Sequence, residues 1–174
     1  RDVRLIAVTK FVDIPHIAEA VAAGVTEVGE NRVQDLKEKL NFFEQQGLTI
    51  HFIGQLQTNK LKYVCNRVGT IQSVDRAALC QKLEQAAAAN GGVQDVLMQV
   101  NIGDEPQKGG ISVPELPSLV EVLSKCSHLR VKGLMCVPPA GEPEAARPYF
   151  RRMYELFCRF GREYPELPAT ELSM

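Results

Sequence analysis

The sequence has few cysteines, no long apolar run and none of the common nucleotide-binding loops. Its five cysteines include no Cys-x-x-Cys pair, which argues against a disulfide framework or a zinc knuckle. The one close cysteine–histidine combination, Cys126-Ser127-His128, lies at an expected helix end, and we assign no metal to it. No segment approaches the ~18 apolar residues of a membrane span, and the short first apolar run is not a signal peptide. We therefore expect free thiols in a reducing cytoplasm.

The charge balance excludes a further set of functions. Lysine and arginine total 20 and aspartate and glutamate total 21, so the formal net charge is −1. A nearly neutral chain gives no electrostatic reason to expect a nucleic acid or an anionic membrane as a partner. The G-x-x-x-x-G-K-[ST] and G-x-G-x-x-G loops are missing, and the spacing yields no Ser-His-Asp or Cys-His arrangement.

What the 174 residues do contain is a strict alternation of strand and helix patterns. Short apolar runs predict seven strands, over residues 5–9, 25–29, 50–53, 70–74, 96–101, 131–137 and from 169 onward. Six helices are predicted between them, one of them around residues 60–68. The residues expected at helix starts are Asp13 and Asp75 as N-caps and Ser112 with Glu115 as a capping box, and Pro148 is expected near the start of the last helix.

This alternation is typical of right-handed βαβ units and a parallel α/β sheet in one domain. Two closures are compatible with it: a doubly wound open sheet, or a (β/α)8 TIM-type barrel one strand short. A complete barrel usually needs ~250 residues. Because a chain that stops within a strand would leave a barrel edge unpaired, we expect the sequence to be part of a longer protein.

In either architecture the functional residues follow the carboxyl ends of the strands, and Lys10 is the most informative of these. It ends a run, Leu5 to Thr9, that predicts a strand buried on both faces. We expect its amine in a partly dry pocket, where desolvation lowers a lysine pKa and favours a neutral amine that can condense with an aldehyde. The alternative is an ordinary surface lysine.

Other candidates have simpler structural interpretations. Glu30 and Asn31 follow the second strand and are expected to cap the helix that begins with Val33. His51 lies in an apolar strand and is expected to be a hydrogen-bonded core histidine. Lys108, in a glycine-rich loop, is expected to be a flexible and solvated amine.

Several of these residues occur in motifs of one known family. The motifs are Val8-Thr9-Lys10, Gly29-Glu30-Asn31, the block from His51 to Lys60 (H-F-I-G-Q-L-Q-T-N-K), Gly133-Leu134-Met135 and Leu172-Ser173-Met174. In order and spacing they resemble the pyridoxal phosphate homeostasis protein family, and the similarity runs along the whole chain. The block from His51 is highly specific.

The resemblance implies a single barrel domain over residues 1–174, similar to the N-terminal domain of alanine racemase. It implies pyridoxal 5′-phosphate (PLP) held through a Schiff base on Lys10, with Asn31 and Ser173 lining the cofactor site. It also implies a cytoplasmic, monomeric protein that carries or buffers PLP for apo-enzymes without catalysing a reaction, and that holds no metal.

The sequence departs from the family pattern at both ends. The family has a helix before the first strand, and after Leu-Ser-Met it continues into Gly-Met-Ser and a later Arg-Ile-Gly segment that contact the phosphate. We therefore expect this chain to lack that helix, the last strand and helix, and most of the phosphate site. A smaller departure is Phe11-Val12-Asp13, where the family often has Thr-Lys-Pro.

Two other functions remain compatible with the residues. A PLP-dependent racemase or decarboxylase would need a protein base on the second face of the cofactor. An α/β interaction module with Lys10 merely exposed would bind no cofactor at all.

Overall fold

Seven parallel strands alternate with helices in the computed structural model, which describes residues 3–174; the first two residues of the expected domain lie outside that range. The strands are β1 Ala7–Val8, β2 Glu27–Glu30, β3 Thr49–Phe52, β4 Thr70–Val74, β5 Gln94–Gln99, β6 Leu129–Met135 and β7 Glu171–Ser173. The α-helices are α1 Ile14–Ala22, α2 Val33–Gln45, α3 Ala77–Ala89, α4 Leu116–Leu123 and α5 Pro143–Glu163. Two 3₁₀ helices, Thr58–Tyr63 and Val113–Glu115, complete the set.

The strand order decides between the two closures that the sequence left open. Each strand pairs in parallel with the next one along the chain, from β1 to β7, without the reversal of order that defines a doubly wound sheet. The sheet also curls, as the contact between the Ser173 hydroxyl on β7 and Gln72 Oε1 on β4, at 2.8 Å, shows. Arg4, just before β1, lies 3.0 Å from Glu171 on β7, so the two edge strands approach each other. The fold is an incomplete, TIM-type parallel barrel, as the sequence predicted.

The main apolar core lies between the convex face of the sheet and the helices. Strand residues such as Val28 and Ile71 pack there against helix residues such as Phe43, Leu83 and Phe160, all fully buried. Burial of these side chains holds the helices against the outside of the barrel. It leaves the concave face and the carboxyl-end loops free to carry polar groups.

The first strand differs from its prediction. Strand β1 covers only Ala7–Val8, and the side chains of Leu5 and Val8 are 75% and 48% exposed. The expected strand over 5–9, buried on both faces, is therefore wrong. The physical reason is that β1 forms an edge of the described sheet and pairs on one side only, with β2.

Helix starts were predicted with mixed success. Asp13 caps α1 by accepting the His16 backbone N–H at 3.1 Å, as predicted. Asp75 does not cap α3, because its carboxylate binds Arg76 and the Gly110 N–H instead. The Ser112 hydroxyl bonds the Glu115 carboxylate rather than the helix backbone.

One predicted helix differs in type and bounds, whereas Pro148 lies near the start of its helix as predicted. The helix expected around 60–68 is the 3₁₀ helix Thr58–Tyr63. Pro148 lies inside α5, five residues after the helix begins at Pro143. In residues 3–174, no helix is both long and apolar enough to cross a lipid bilayer.

Gly133 is a position where only glycine fits the sheet. Its φ is +147°, and an added Cβ would overlap the backbone oxygen of Glu171 on β7. We expect Gly133→Ala to loosen the pairing of β7 and to lower the free energy of unfolding by about 1–3 kcal/mol. Faster exchange of the Cys136 N–H, which donates to the Ser173 carbonyl, would report the local effect.

Gly161→Ala is the matched control for this prediction. Gly161 lies in α5, and its added Cβ would meet only the Ala169 Cβ, at 3.9 Å. Alanine in a helix is favoured over glycine, so this variant should be about 0.5–1 kcal/mol more stable. Equal stability losses in the two variants, measured by urea unfolding, would contradict the assigned role of Gly133.

Candidate functional site

The carboxyl ends of the strands bring the three predicted site residues to one end of the barrel. Lys10 lies two residues after β1, Asn31 directly follows β2, and Ser173 is the last residue of β7. Parallel strands with right-handed crossovers place all these ends on one rim, where functional loops of barrels gather. The rim defined by these strand ends is therefore the candidate site.

Lys10 occupies the second position of a tight turn over residues 9–12. The Val12 N–H donates to the Thr9 carbonyl at 3.0 Å, which closes the turn, and Phe11 has a φ of +62°. The Thr9 N–H donates to the Gly29 carbonyl, so the start of the turn continues the pairing of β1 with β2. The Lys10 side chain is exposed, and the partly dry pocket expected for it is wrong, because the edge strand β1 leaves its end open to solvent.

Glu30 and Asn31 do not cap α2 as predicted. The N-cap position is Arg32, and no side chain bonds the first turn of the helix. Glu30 is fully buried and its Oε1 lies 2.7 Å from the Lys39 ammonium on α2. The expected capping roles are lost because β2 runs one residue further than predicted and turns Glu30 toward the helix layer.

Asn31, directly after β2, has a buried polar side-chain atom without a partner in residues 3–174. Its side-chain Oδ1 is inaccessible to solvent and has no hydrogen-bond partner in the described residues. The loop after β3 packs directly on its backbone, since a Cβ added to Gly54 would overlap the Asn31 carbonyl. An unsatisfied buried acceptor is costly, so this position favours a donor supplied by a ligand.

A chain of hydrogen bonds crosses the concave face below the rim. The Ser173 hydroxyl donates to Gln72 Oε1 at 2.8 Å, and Gln72 Nε2 donates to His51 Nδ1 at 3.0 Å. His51 Nε2 lies 2.9 Å from Glu27 Oε2. With Nδ1 accepting, the ring proton belongs on Nε2, where it points at the carboxylate. His51 is thus the satisfied core histidine that the sequence predicted.

Several rim loops are tied to one another by buried or half-buried polar contacts. Asp75 accepts the Gly110 N–H at 3.2 Å, and Arg76 donates to the Leu56 carbonyl at 2.7 Å. Lys108 pairs with Glu105 at 2.6 Å and donates to the Pro138 carbonyl at 2.7 Å. The prediction of a flexible, solvated Lys108 is therefore wrong, since two partners hold its amine.

Outside the hydrogen-bond chain, the thiols of Cys136 and Cys126 and the ring of His128 are buried or hydrogen-bonded. Burial raises the pKa of Cys136, next to the rim, to about 11, so this thiol stays protonated. His128 binds Glu84 at 2.8 Å, and the Cys126 thiol donates to the Val122 carbonyl. Within residues 3–174, no three His, Cys, Asp or Glu side chains are placed to hold a metal ion.

Comparisons with known proteins assign this barrel to a family. The family model for the alanine racemase N-terminal domain matches residues 1–174. The pyridoxal phosphate homeostasis protein of Aquifex aeolicus is 41% identical over 173 residues, covering 98% of this chain and 76% of that protein. The pyridoxal phosphate homeostasis protein of Haemophilus influenzae is 38% identical over 175 residues, which cover 99% of this chain and 74% of that protein. The chain belongs to the pyridoxal phosphate homeostasis protein family.

Solved structures of two other proteins have the same barrel architecture as this homeostasis-family chain. PipY from Synechococcus elongatus, in a structure with PLP bound, is 32% identical, with a TM-score of 0.89 over 99% of this chain and 81% of PipY. The alanine racemase of Streptomyces coelicolor, at 21% identity, has a TM-score of 0.76 over 97% of this chain and 46% of the racemase. The second likeness concerns the fold alone.

Sequence reasoning missed the residues that link the rim to the barrel interior in this family member. Gln72 and Glu27 were not singled out, although both carry the hydrogen-bond chain below Ser173. Ser73, at a register shift in β4, has a buried hydroxyl with no partner in the described residues. A signal was available, because Gln72 and Ser73 are adjacent polar residues in the strand predicted over residues 70–74.

The hydrogen-bond chain makes stability depend on pH through His51. Burial lowers the pKa of His51 from its ordinary 6.5, while the hydrogen bond to Glu27 opposes this shift. Below pH 6.5 the unfolded chain binds a proton that the folded protein resists, so the free energy of unfolding falls as the pH drops from 6.5 toward the folded pKa. Urea unfolding above and below pH 6.5 should show this loss in the wild type and a smaller one in His51→Gln.

His16 provides a control of opposite sign. Its hydrogen bond with Asp13 raises the pKa of His16, so its contribution is complete below 6.5 and lost as the pH rises through the folded pKa. His16→Gln should therefore lower the free energy of unfolding mainly below pH 6.5, where the imidazole of the wild type is protonated and paired with Asp13. If His51→Gln had the same pH slope as the wild type, the buried position of the ring would not govern this dependence.

Proposed function

We propose that this chain binds PLP and holds it through a reversible Schiff base on the Nζ of Lys10. The observation that carries the proposal is the likeness to PipY, whose structure has PLP bound and which is 32% identical over 99% of this chain. The names of the curated relatives support the same cofactor. The proposed domain is a single barrel over residues 1–174.

The reaction at Lys10 requires an amine that an aldehyde can reach. A neutral amine attacks the aldehyde carbon, a carbon–nitrogen double bond forms, and the aldehyde oxygen leaves as water; hydrolysis reverses each step. The exposed turn that carries Lys10 supports such access. PLP held in this way would be passed on when another amine attacks the imine carbon and the Lys10 nitrogen leaves as the free amine.

Asn31 and Ser173 are proposed as further contacts to the cofactor. The unpartnered Asn31 Oδ1 at the rim fits a polar ligand that brings a donor. The Ser173 hydroxyl already donates to Gln72, so donation to a phosphate oxygen requires rotation away from Gln72. Because that rotation would leave the Gln72 carbonyl without its donor, we expect Ser173 to contribute less than Lys10.

We further propose that the protein carries or buffers PLP without catalysis. The homeostasis names of the relatives support this role. A PLP enzyme needs a protein base beside the cofactor, whereas Tyr149, Tyr154 and Tyr164 lie on or directly after the outer helix α5. His51 is engaged at both ring nitrogens. We propose a monomer in the cytoplasm, with apo-enzymes as recipients of the cofactor.

Borohydride reduction tests the proposed attachment. Reduction of the protein mixed with PLP should fix a phosphopyridoxyl adduct on Lys10, found by peptide mass spectrometry. Lys10→Arg keeps a positive charge but cannot form the imine, so both the adduct and the visible imine absorbance should be lost. Lys125→Ala removes an exposed lysine two residues after the end of α4, and this variant should keep both the Lys10 adduct and the imine absorbance. An adduct confined to other lysines would overturn the assignment.

A turnover measurement tests the absence of catalysis. The protein loaded with PLP is incubated with a panel of amino acids, and racemisation and decarboxylation are followed by chiral chromatography. We expect rates equal to those of free PLP, because Tyr149, Tyr154 and Tyr164 lie on or directly after the outer helix α5 and both ring nitrogens of His51 are engaged. Rates well above that background would favour the racemase or decarboxylase function instead.

A further inference from the structure

We infer that Glu30 and Lys39 act as positioning residues that fix the turn carrying Lys10. The two side chains and Thr9 form a buried group, called here the turn clamp. Its role toward the cofactor rests on the proposed function of Lys10, whereas its hold on the turn does not.

The turn clamp joins three separate elements through short hydrogen bonds. The Lys39 ammonium on α2 donates to Glu30 Oε1 at 2.7 Å and to the Thr9 carbonyl at 2.8 Å. The Thr9 hydroxyl donates to the same Glu30 oxygen at 2.7 Å. All three residues are buried, with exposures of 0% for Glu30, 7% for Lys39 and 5% for Thr9.

The clamp acts on the atom that closes the turn. The Thr9 carbonyl accepts both the Lys39 ammonium and the Val12 N–H, so one oxygen links the clamp to the turn. Phe11, inside the turn, has a φ of +62°, a conformation that is unfavourable for a residue with a bulky side chain. Such a conformation persists only where its surroundings hold it.

Among the residues of this turn, Val12 packs against the core, whereas the Phe11 side chain contributes little packing. Phe11 is 74% exposed, and a cavity of about 440 Å³ lies beside the turn, lined by residues of the turn, the start of α1 and α2. The Arg32 guanidinium lies 4.8 Å from the centre of the Phe11 ring, a contact that adds little at an exposed site. The hydrogen bonds to Thr9 therefore act together with the packing of Val12 to restrain the turn that carries Lys10.

The energetics favour positioning over stability as the role of this pair. Replacing a buried ion pair with apolar side chains of similar size is often neutral or stabilising. The buried pair of Glu30 and Lys39 is therefore not expected to raise the free energy of unfolding above that of an apolar pair at the same positions. Holding an otherwise strained turn in one conformation, so that the amine is preorganised for an incoming aldehyde, gives a direct reason to bury this pair.

The double variant Glu30→Met/Lys39→Met tests this inference without leaving a buried charge unpaired. Urea unfolding should show an unchanged midpoint, which separates positioning from a loss of fold. Amide hydrogen exchange at Val12 should be roughly tenfold faster, since its acceptor is no longer held. The dissociation constant for PLP, followed by the imine absorbance, should rise roughly tenfold.

Asp95→Asn serves as the control, because it weakens an ion pair with Arg130 at the opposite end of the strands. It should change neither Val12 exchange nor the affinity for PLP. Unchanged Val12 exchange in the double variant would overturn the clamp, and faster exchange with unchanged PLP affinity would overturn its positioning of Lys10. If wild-type Lys10 formed no adduct, the proposed function would fail, but Val12 exchange would still decide whether the clamp holds the turn.

Discussion

The hydrogen-bond chain from Ser173 to Glu27 is the interaction on which the site depends. It spans the concave face of a curled sheet and connects β7, β4, β3 and β2 through polar side chains. An unpaired buried polar group is costly, and each side chain of this hydrogen-bond chain has its partner. The interior of this barrel is thus organised by directional contacts, and these fix the relative positions of the strand ends that form the rim.

The apolar core has a different task from the concave face. Between the sheet and the helices, residues such as Val28, Phe43 and Phe160 are fully buried and supply non-directional stabilisation. The turn clamp lies in this same outer layer, where Lys39 replaces an apolar residue on the buried face of α2. The helix layer that stabilises the barrel therefore also binds Thr9, the residue before Lys10, through the Lys39 ammonium.

The sequence predicted the architecture well because strand and helix patterns are local. The alternation of elements, the Asp13 cap and the paired His51 all follow from residue type and spacing. Strand order settled the closure, which no local pattern could do, since both closures use the same βαβ units. The resemblance to the family, by contrast, predicted the barrel closure.

The errors in the site have a common origin in tertiary contacts. Lys10 was expected in a partly dry pocket because its strand looks apolar, but an edge position exposes Val8 and the turn beyond it. Glu30 looked like a helix cap, and its partner Lys39, nine residues later, could not be paired with it by spacing across a strand–helix connection. Lys108 looked flexible because its neighbours are glycines, yet a carbonyl 30 residues away holds it.

The strand order has a consequence for how the molecule acquires its structure. Every strand pairs only with strands adjacent in the chain, so the sheet can extend one unit at a time as the polypeptide emerges from the ribosome. The bond between Gln72 and Ser173 joins residues 101 positions apart. It can form only after β7 has been synthesised, so this contact across the concave face depends on the last strand of the described sheet.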